Sequence, residues 1–248
     1  MQLWEILLVL IVGFASGFLN TIAGGGSLLS LPLLIFLGLP PTVANATNRV
    51  AVFIQNIFSV AGFQSKGVSA YPYSIWIGIS AFFGGIIGAL LAVDIDGVLF
   101  NRILAIIMVA VILYTVLGNK SVKTQVEKLD FKHQLYGVIA FFFIGIYGGF
   151  IQAGVGFLMI PALTIINGFS LVKTNGAKVF VALFFTLSSL IVFIYEDQVN
   201  WIWGLILAGG SAGGGWVASR WSVNKGDVWI KRFLVVTVFA LAIKLWFF

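Results

Sequence analysis

Charge is scarce in this chain. Only 9% of its 248 residues are Asp, Glu, Lys or Arg, against 60% hydrophobic, and the mean hydropathy is +1.10. Soluble domains carry roughly 25% charged residues, so a soluble fold of this length would have too few charges to cover its surface. Lipid must be part of its environment. Cysteine is absent, which excludes a disulfide framework, a thiolate nucleophile and a cysteine-held metal. Histidine occurs once, at His133, which excludes a multi-histidine metal cluster. Neither Gly-x-Ser-x-Gly nor His-Glu-x-x-His is present, and an intramembrane serine hydrolase would need a base beside its serine. With His133 expected in a loop, no enzyme is expected, and no metal or cofactor.

The net charge of +6 reports topology in such a chain, not nucleic-acid binding. Met1-Gln2-Leu3-Trp4-Glu5 has no basic n-region, so the first apolar run is expected to be a retained helix, not a cleaved signal. Apolar segments fall at 3–22, 27–39, 44–63, 71–93, 98–117, 134–151, 156–169, 176–195, 200–218 and 228–248. Most reach the ~20 residues that span a bilayer; Leu28–Leu39 and Phe157–Phe169 are too short to cross ~30 Å. Each short segment follows a run of small residues, Ala23-Gly24-Gly25-Gly26-Ser27 and Ala153-Gly154-Val155-Gly156.

Those breaks belong to a repeat. Pro32 and Pro161 are 129 residues apart, as are Arg49 and Lys178, and the same shift puts Gly25 on Gly154 and Ser27 on Gly156. Asn101-Arg102-Ile103-Leu104 falls near Lys231-Arg232-Phe233-Leu234, after one extra residue. Several matches at one offset, in one element order, point to duplication. The halves are residues 1–118 and 134–248, joined by a basic linker at 119–133.

Loop charge then sets orientation. Lys120, Lys123, Lys128 and Lys132 place the central loop in the cytoplasm. If each broken pair is a hairpin that enters the membrane and returns, each half crosses three times. Lys66, Lys173, Arg220 and Lys225 then fall inside, while Asp94, Asp96, Glu196 and Asp197 fall outside. If each pair crosses once, Lys173, Arg220 and Lys225 fall outside, against the positive-inside rule. The expected fold is therefore an all-α integral membrane protein of two inverted-topology repeats. Each repeat is a broken re-entrant helix hairpin plus three transmembrane helices, in the cell (inner) membrane. Inverted repeats with broken helices point to a secondary transporter with its site near the midplane. Glycines can also serve only close helix packing, and that reading is preferred for Gly84-Gly85-Ile86-Ile87-Gly88 and Gly213-Gly214-Gly215.

A helix that starts inside the membrane leaves N–H groups without partners and places the positive end of its dipole there. Two such ends, residues 27–30 and 156–159, make a candidate anion site. Gly24, Gly25, Gly26, Gly154 and Gly156 allow a ligand close to the backbone. Ser27, Asn45, Thr47, Asn48, Gln152 and Asn175 supply polar groups, and Arg49 and Lys178 supply charge. Gln55, Asn56, Lys173 and Thr174 lie beside them. Snorkelling as a topology marker is the preferred reading for Lys173 and an equal alternative for Arg49 and Lys178, while Asn45, Thr47 and Asn48 also suit helix caps. Every carboxylate falls in a predicted loop or at a helix end, which argues against a cation substrate. Trp4, Trp76, Trp201, Trp203, Trp229 and Trp246 read as interfacial anchors, among which a homodimer contact is possible.

Gly17-Phe18-Leu19-Asn20-Thr21-Ile22-Ala23-Gly24-Gly25-Gly26-Ser27, then Pro32, Gly38 and Ala44-Asn45-Ala46-Thr47-Asn48, resembles the TauE/SafE family of sulfite exporter-like membrane proteins. So does the second copy, Gly148-Gly149-Phe150 through Gly156 and Pro161, then Asn175-Gly176-Ala177-Lys178. The resemblance covers nearly the whole chain. It implies transport of small sulfur-linked anions such as sulfite, sulfonates or sulfoacetate. Thr47-Asn48 keeps the family pattern, whereas Gly176-Ala177 departs from it, so the resemblance implies an asymmetric site with donors mostly from the first half. An anion channel or a structural membrane subunit is the alternative.

Overall fold

The computed structural model of the chain describes residues 2–69, 71–106 and 126–247, with side chains through Lys225 and at Trp229. Regular structure there is helical: α1 (Leu3–Ile22), α2 (Ser27–Phe36), α3 (Pro41–Gln64), α4 (Tyr73–Val93), α5 (Gly97–Ile106), α6 (Phe131–Phe150), α7 (Gly156–Pro161), α8 (Leu171–Tyr195) and α9 (Trp201–Phe247). α1, α4, α6 and α8 are long and apolar enough to cross a membrane. α3 has the length, at 24 residues, but buries a polar face running from Asn45 to Ser59.

Both short segments are short helices after a break. α2 has ten residues. α7 has six and widens into a π turn over Ala162–Ile166, where Pro161 brings no N–H to the ladder. The breaks are sharp because the chain turns through positive φ, 78° at Gly24 and 72° at Gly154, a region glycine enters without steric cost. Gln152 is also there, at φ 61°.

Small residues set the helix pairing. α1 lies along α9, and α6 along α4; α3 packs on α8 and α9, and α8 on α3 and α4. Exchanging the halves at the 129-residue offset maps this pairing onto itself. The glycines expected to serve packing do so. A Cβ at Gly84 or Gly88 would lie 2.1 or 2.0 Å from a carbonyl oxygen of α6, and one at Gly214 would lie 2.0 Å from the Phe14 oxygen of α1. In a membrane, such close approach supplies the helix–helix attraction that the hydrophobic effect does not.

The loops gather at two ends. At one, Lys173 pairs with Glu127 at 2.7 Å, the Lys128 N–H donates to the Asn167 oxygen, and Tyr73 donates to the Asn167 side chain. At the other, Gly97 lies against Pro41, Gln198 donates to the Val93 oxygen, and the Asn200 N–H donates to Thr47. α2 returns to the end from which α1 starts, where Leu34 and Leu39 pack with Val9, Ala44 and Trp203.

Four expectations change. Segments 200–218 and 228–248 form one continuous helix. The polar stretch Asn224-Lys225-Gly226-Asp227 has no proline to end it, and Ser219 and Ser222 bond back to carbonyls one turn earlier. At ~1.5 Å per residue its 47 residues run about 70 Å. Asp227 therefore sits within a helix, not a loop. His133 is in the first turn of α6, bonded to Asp130, and not in a loop, because the helix begins at Phe131. Trp203 is a core residue with 9% exposure, whereas Trp4, Trp76, Trp201 and Trp229 are exposed; position 203 faces α1 and α3 because it lies on the packed side of α9. Residues 107–118 of the first half, Lys120 and Lys123 of the linker, and the side chains of Lys231-Arg232-Phe233-Leu234 and Trp246 lie outside the described residues.

Gly88→Ala should force α4 and α6 apart and cost about 1–3 kcal/mol, read as a drop of several degrees in the melting temperature of the detergent-solubilised protein. Gly209→Ala, whose Cβ would meet nothing nearer than 3.6 Å, should stay within about 0.5 kcal/mol of the parent.

Candidate functional site

A helix that ends in an apolar interior must find partners for its last carbonyls. α6 ends at Phe150, and α3 satisfies it. Arg49 Nη1 donates to the Gly148 oxygen at 2.7 Å and to Ser189 Oγ at 2.8 Å, and Nη2 donates to the Gly149 oxygen at 2.7 Å. Asn45 Nδ2 donates to the Phe150 oxygen at 2.8 Å, and the Phe193 ring lies 5.0 Å from the guanidinium. The other half answers in kind. Lys178 Nζ on α8 donates to the Thr21 oxygen at the end of α1, at 2.9 Å, and to Asn175 Oδ1, at 2.9 Å. Arg49 is fully buried and Lys178 nearly so, and no carboxylate contacts either among the described residues.

The two breaks touch. The Gly156 N–H donates to the Gly24 oxygen at 3.2 Å, and a Cβ on either glycine would lie 2.1 Å from the other's Cα. Beside this crossing is a cleft lined by Asn20, Gly24, Asn56, Gln152, Gly156 and Lys178 over an apolar floor of Val52, Met159 and Phe185. It has room for about one water molecule. Two polar atoms of its lining have no hydrogen-bond partner, Asn56 Nδ2 and Gln152 Oε1. The other end of the Gln152 amide donates to Thr186 at 2.9 Å. Lys178 has three N–H donors and two acceptors, which leaves one donor for the cleft.

Of the residues picked from sequence, Gly24, Gln152, Gly156 and Lys178 meet at the cleft, with Asn175 beside Lys178. Gly25 lies against the Phe157 ring and Gly26 against the Ser16 oxygen. Gly154 shapes the second turn. Asn48 bridges Ser27 and Ser30 of α2, at 3.0 and 2.6 Å. Asn45 and Arg49 sit at the end of α6, and Thr47 accepts from the Asn200 N–H just before α9. Asn20 joins the cleft from α1, with its amide on Gln55 at 2.6 Å. Asn20 and Asn56 were outside the set picked from sequence. The signal for Asn56 was its spacing, 11 residues or about three turns after Asn45, on the buried polar stripe of α3.

Apolar helices of spanning length around a closed polar cleft define a multi-pass membrane transporter. The chain belongs to the TauE/SafE family: the family profile described as Sulfite exporter TauE/SafE matches residues 9–245. It is similar to a probable membrane transporter protein of Haemophilus influenzae, 28% identical over 94% of this chain and 91% of that one. It is also similar to one of a Sinorhizobium species, 27% identical over 95% and 90%, and to the probable membrane transporter protein YfcA of Escherichia coli K12, 28% identical over 94% and 87%. No solved structure matches the chain. Each of these relatives is described as a probable membrane transporter protein.

Arg49→Ala should leave two carbonyls at the end of α6, Gly148 and Gly149, and the Ser189 hydroxyl short of donors. The expected loss is about 3 kcal/mol or more, with the fraction of monodisperse protein on gel filtration falling accordingly. Arg49→Lys, which keeps the charge but not the fork, should recover part of it.

Proposed function

We propose that this protein is a secondary carrier of a small sulfur-linked oxyanion or organosulfonate, such as sulfite or sulfoacetate, bound between the two helix breaks. The observation that carries the reading is the cleft at the Gly24–Gly156 crossing. It is buried, it offers free donors from Lys178 and Asn56, and its lining holds no carboxylate. Gly156 at the start of α7 lines it, whereas α2 does not, and N–H groups in the first turns of both short helices are already bonded to carbonyls, so the ligand is held by side chains and not by the two helix starts expected from sequence. An anion is the ligand such a cleft stabilises. The family membership supports sulfur-linked chemistry, and the near-closure of the cleft fits one state of alternating access better than an open pore.

In this reading the halves are inverted repeats with re-entrant hairpins, α1–α2 and α6–α7, in the cell membrane. The end holding Lys66, Lys128 and Lys173 faces the cytoplasm, and the end holding Asp94, Asp96, Glu196 and Asp197 faces out. Two observations support it: Lys66, Lys128 and Lys173 share one end while Asp94, Asp96, Glu196 and Asp197 share the other, although Glu127 pairs with Lys173 at the first, and the helix pairing survives exchange of the halves. Gly25, Gly26, Ser27, Asn48 and Gly154 position the breaks; Asn45, Thr47 and Arg49 hold the helix ends that frame them. The protein needs only its anion and the bilayer as partners, and a homodimer is compatible with it.

Proteoliposomes should show counterflow: sulfite or a sulfonate on one side should accelerate its movement from the other. If no anion of a broad panel outpaces protein-free vesicles, the carrier reading fails. Lys178→Met should lower transport at least about tenfold, as expected when a charged hydrogen bond to the ligand is lost, in protein that still elutes as a single species. The chain lacks cysteine, so single cysteines test topology directly. Ser69→Cys should react with a membrane-impermeant thiol reagent only from inside, and Glu196→Cys only from outside; labelling of both from one face would refute the hairpin arrangement.

A further inference from the structure

The cleft holds one full charge and two unanswered hydrogen-bonding atoms, and these differ in kind. Lys178 is the single charged residue of its lining. Arg49, the other cation buried among the described residues, turns its two terminal nitrogens to the Gly148 and Gly149 carbonyls and Ser189 and does not line the cleft. No carboxylate is buried among the described residues. A singly charged anion therefore leaves the cleft neutral. A doubly charged one leaves a net charge in a low-dielectric interior, at a large desolvation cost.

The unanswered atoms add a second criterion. Asn56 Nδ2 is a donor, and with the remaining Lys178 N–H it suits an oxyanion oxygen. Gln152 Oε1 is an acceptor, fixed in place because its own Nε2 is held by Thr186. An anion that offers only oxygens leaves this buried acceptor unpaired, which costs free energy. A ligand with a hydroxyl satisfies it. Gln152 itself is held in left-handed backbone at φ 61°, which fixes where the amide leaves the chain.

We propose that the cleft selects singly charged oxyanions that carry a hydrogen-bond donor, such as hydrogen sulfite or a hydroxyalkanesulfonate, over doubly charged anions. Gln152 is the residue that reads the donor. The inference rests on the carrier reading and narrows it: sulfite enters as hydrogen sulfite, and sulfoacetate, with two charges, is disfavoured.

The test uses the full chain in detergent, at one pH and one ionic strength. Its melting temperature is measured with methanesulfonate, sulfate, ethanesulfonate and 2-hydroxyethanesulfonate, since a ligand that binds the folded state raises apparent stability. Methanesulfonate should raise it by about 4 °C near saturation, with sulfate producing under a quarter of that shift. 2-Hydroxyethanesulfonate should bind at least about tenfold more tightly than ethanesulfonate, the scale of one buried hydrogen bond. Gln152→Leu should abolish that tenfold difference, the readout being the ratio of the two affinities and not either shift alone. Gln152→Met serves the same end if the leucine variant does not fold. Equal shifts with sulfate and methanesulfonate, or a hydroxyl preference that survives loss of Gln152, would overturn the inference while leaving an anion carrier standing. No shift with any of the four, together with no counterflow of the wider panel, would overturn both.

Discussion

A helix that stops in an apolar interior has carbonyls that water cannot reach, and this constraint organises the protein. α1 and α6 both end in the interior, and each end is met by a cation from the third helix of the other half, Lys178 for α1 and Arg49 with Asn45 for α6. The C-terminal ends of helices carry partial negative charge, so a cation is the stabilising partner. Each bond also crosses between halves. The bonds that make the breaks tolerable are thus among those that hold the molecule together.

The cleft follows from that arrangement. With α1 and α6 held at their ends, the turns after them are brought to one point, where only glycine fits at positions 24 and 156 because a Cβ would overlap the opposite backbone. Small residues along α4, α6 and α9 let the surrounding helices close on this point without polar glue. The hydrogen-bond network of Asn20, Gln55, Thr21 and Ser59 fills the space behind it. What remains is a space of about one water, with a lysine N–H, an asparagine N–H and a glutamine oxygen unanswered around it. Unpaired polar atoms that line a cleft lie where a ligand can supply the pairing.

Much of this was legible in the chain. The two short segments, their small-residue breaks and the 129-residue offset were there to be read, because a bilayer imposes a length on any helix that crosses it and Gly24 and Gly154 mark where the chain turns back. The glycine runs at 84–88 and 213–215 were rightly read as packing. The family was recognisable from the first break and the Asn45–Asn48 motif. Other features were not legible. Charge type alone could not separate the lysine that lines the cleft from the arginine that does not, since both cap a helix end and occupy the same place in the repeat. Asn20 gave no signal of its own, because its contact with Gln55 joins residues 35 positions apart. The polar stretch at 224–227 looked like a break, yet helix propensity without proline carries the chain through it.

By itself, then, the sequence determined the solvent, the helices, the points where two of them break and the family. Those follow from composition, period and spacing along one dimension. Tertiary structure alone decided which of the two helix-capping cations also lines the cleft, that Gly24 meets Gly156, and that Asn56 and Gln152 each keep an atom unpaired. Those depend on which side chains from distant parts of the chain arrive at one place, and hydrogen-bond partners are assigned only when helices pack.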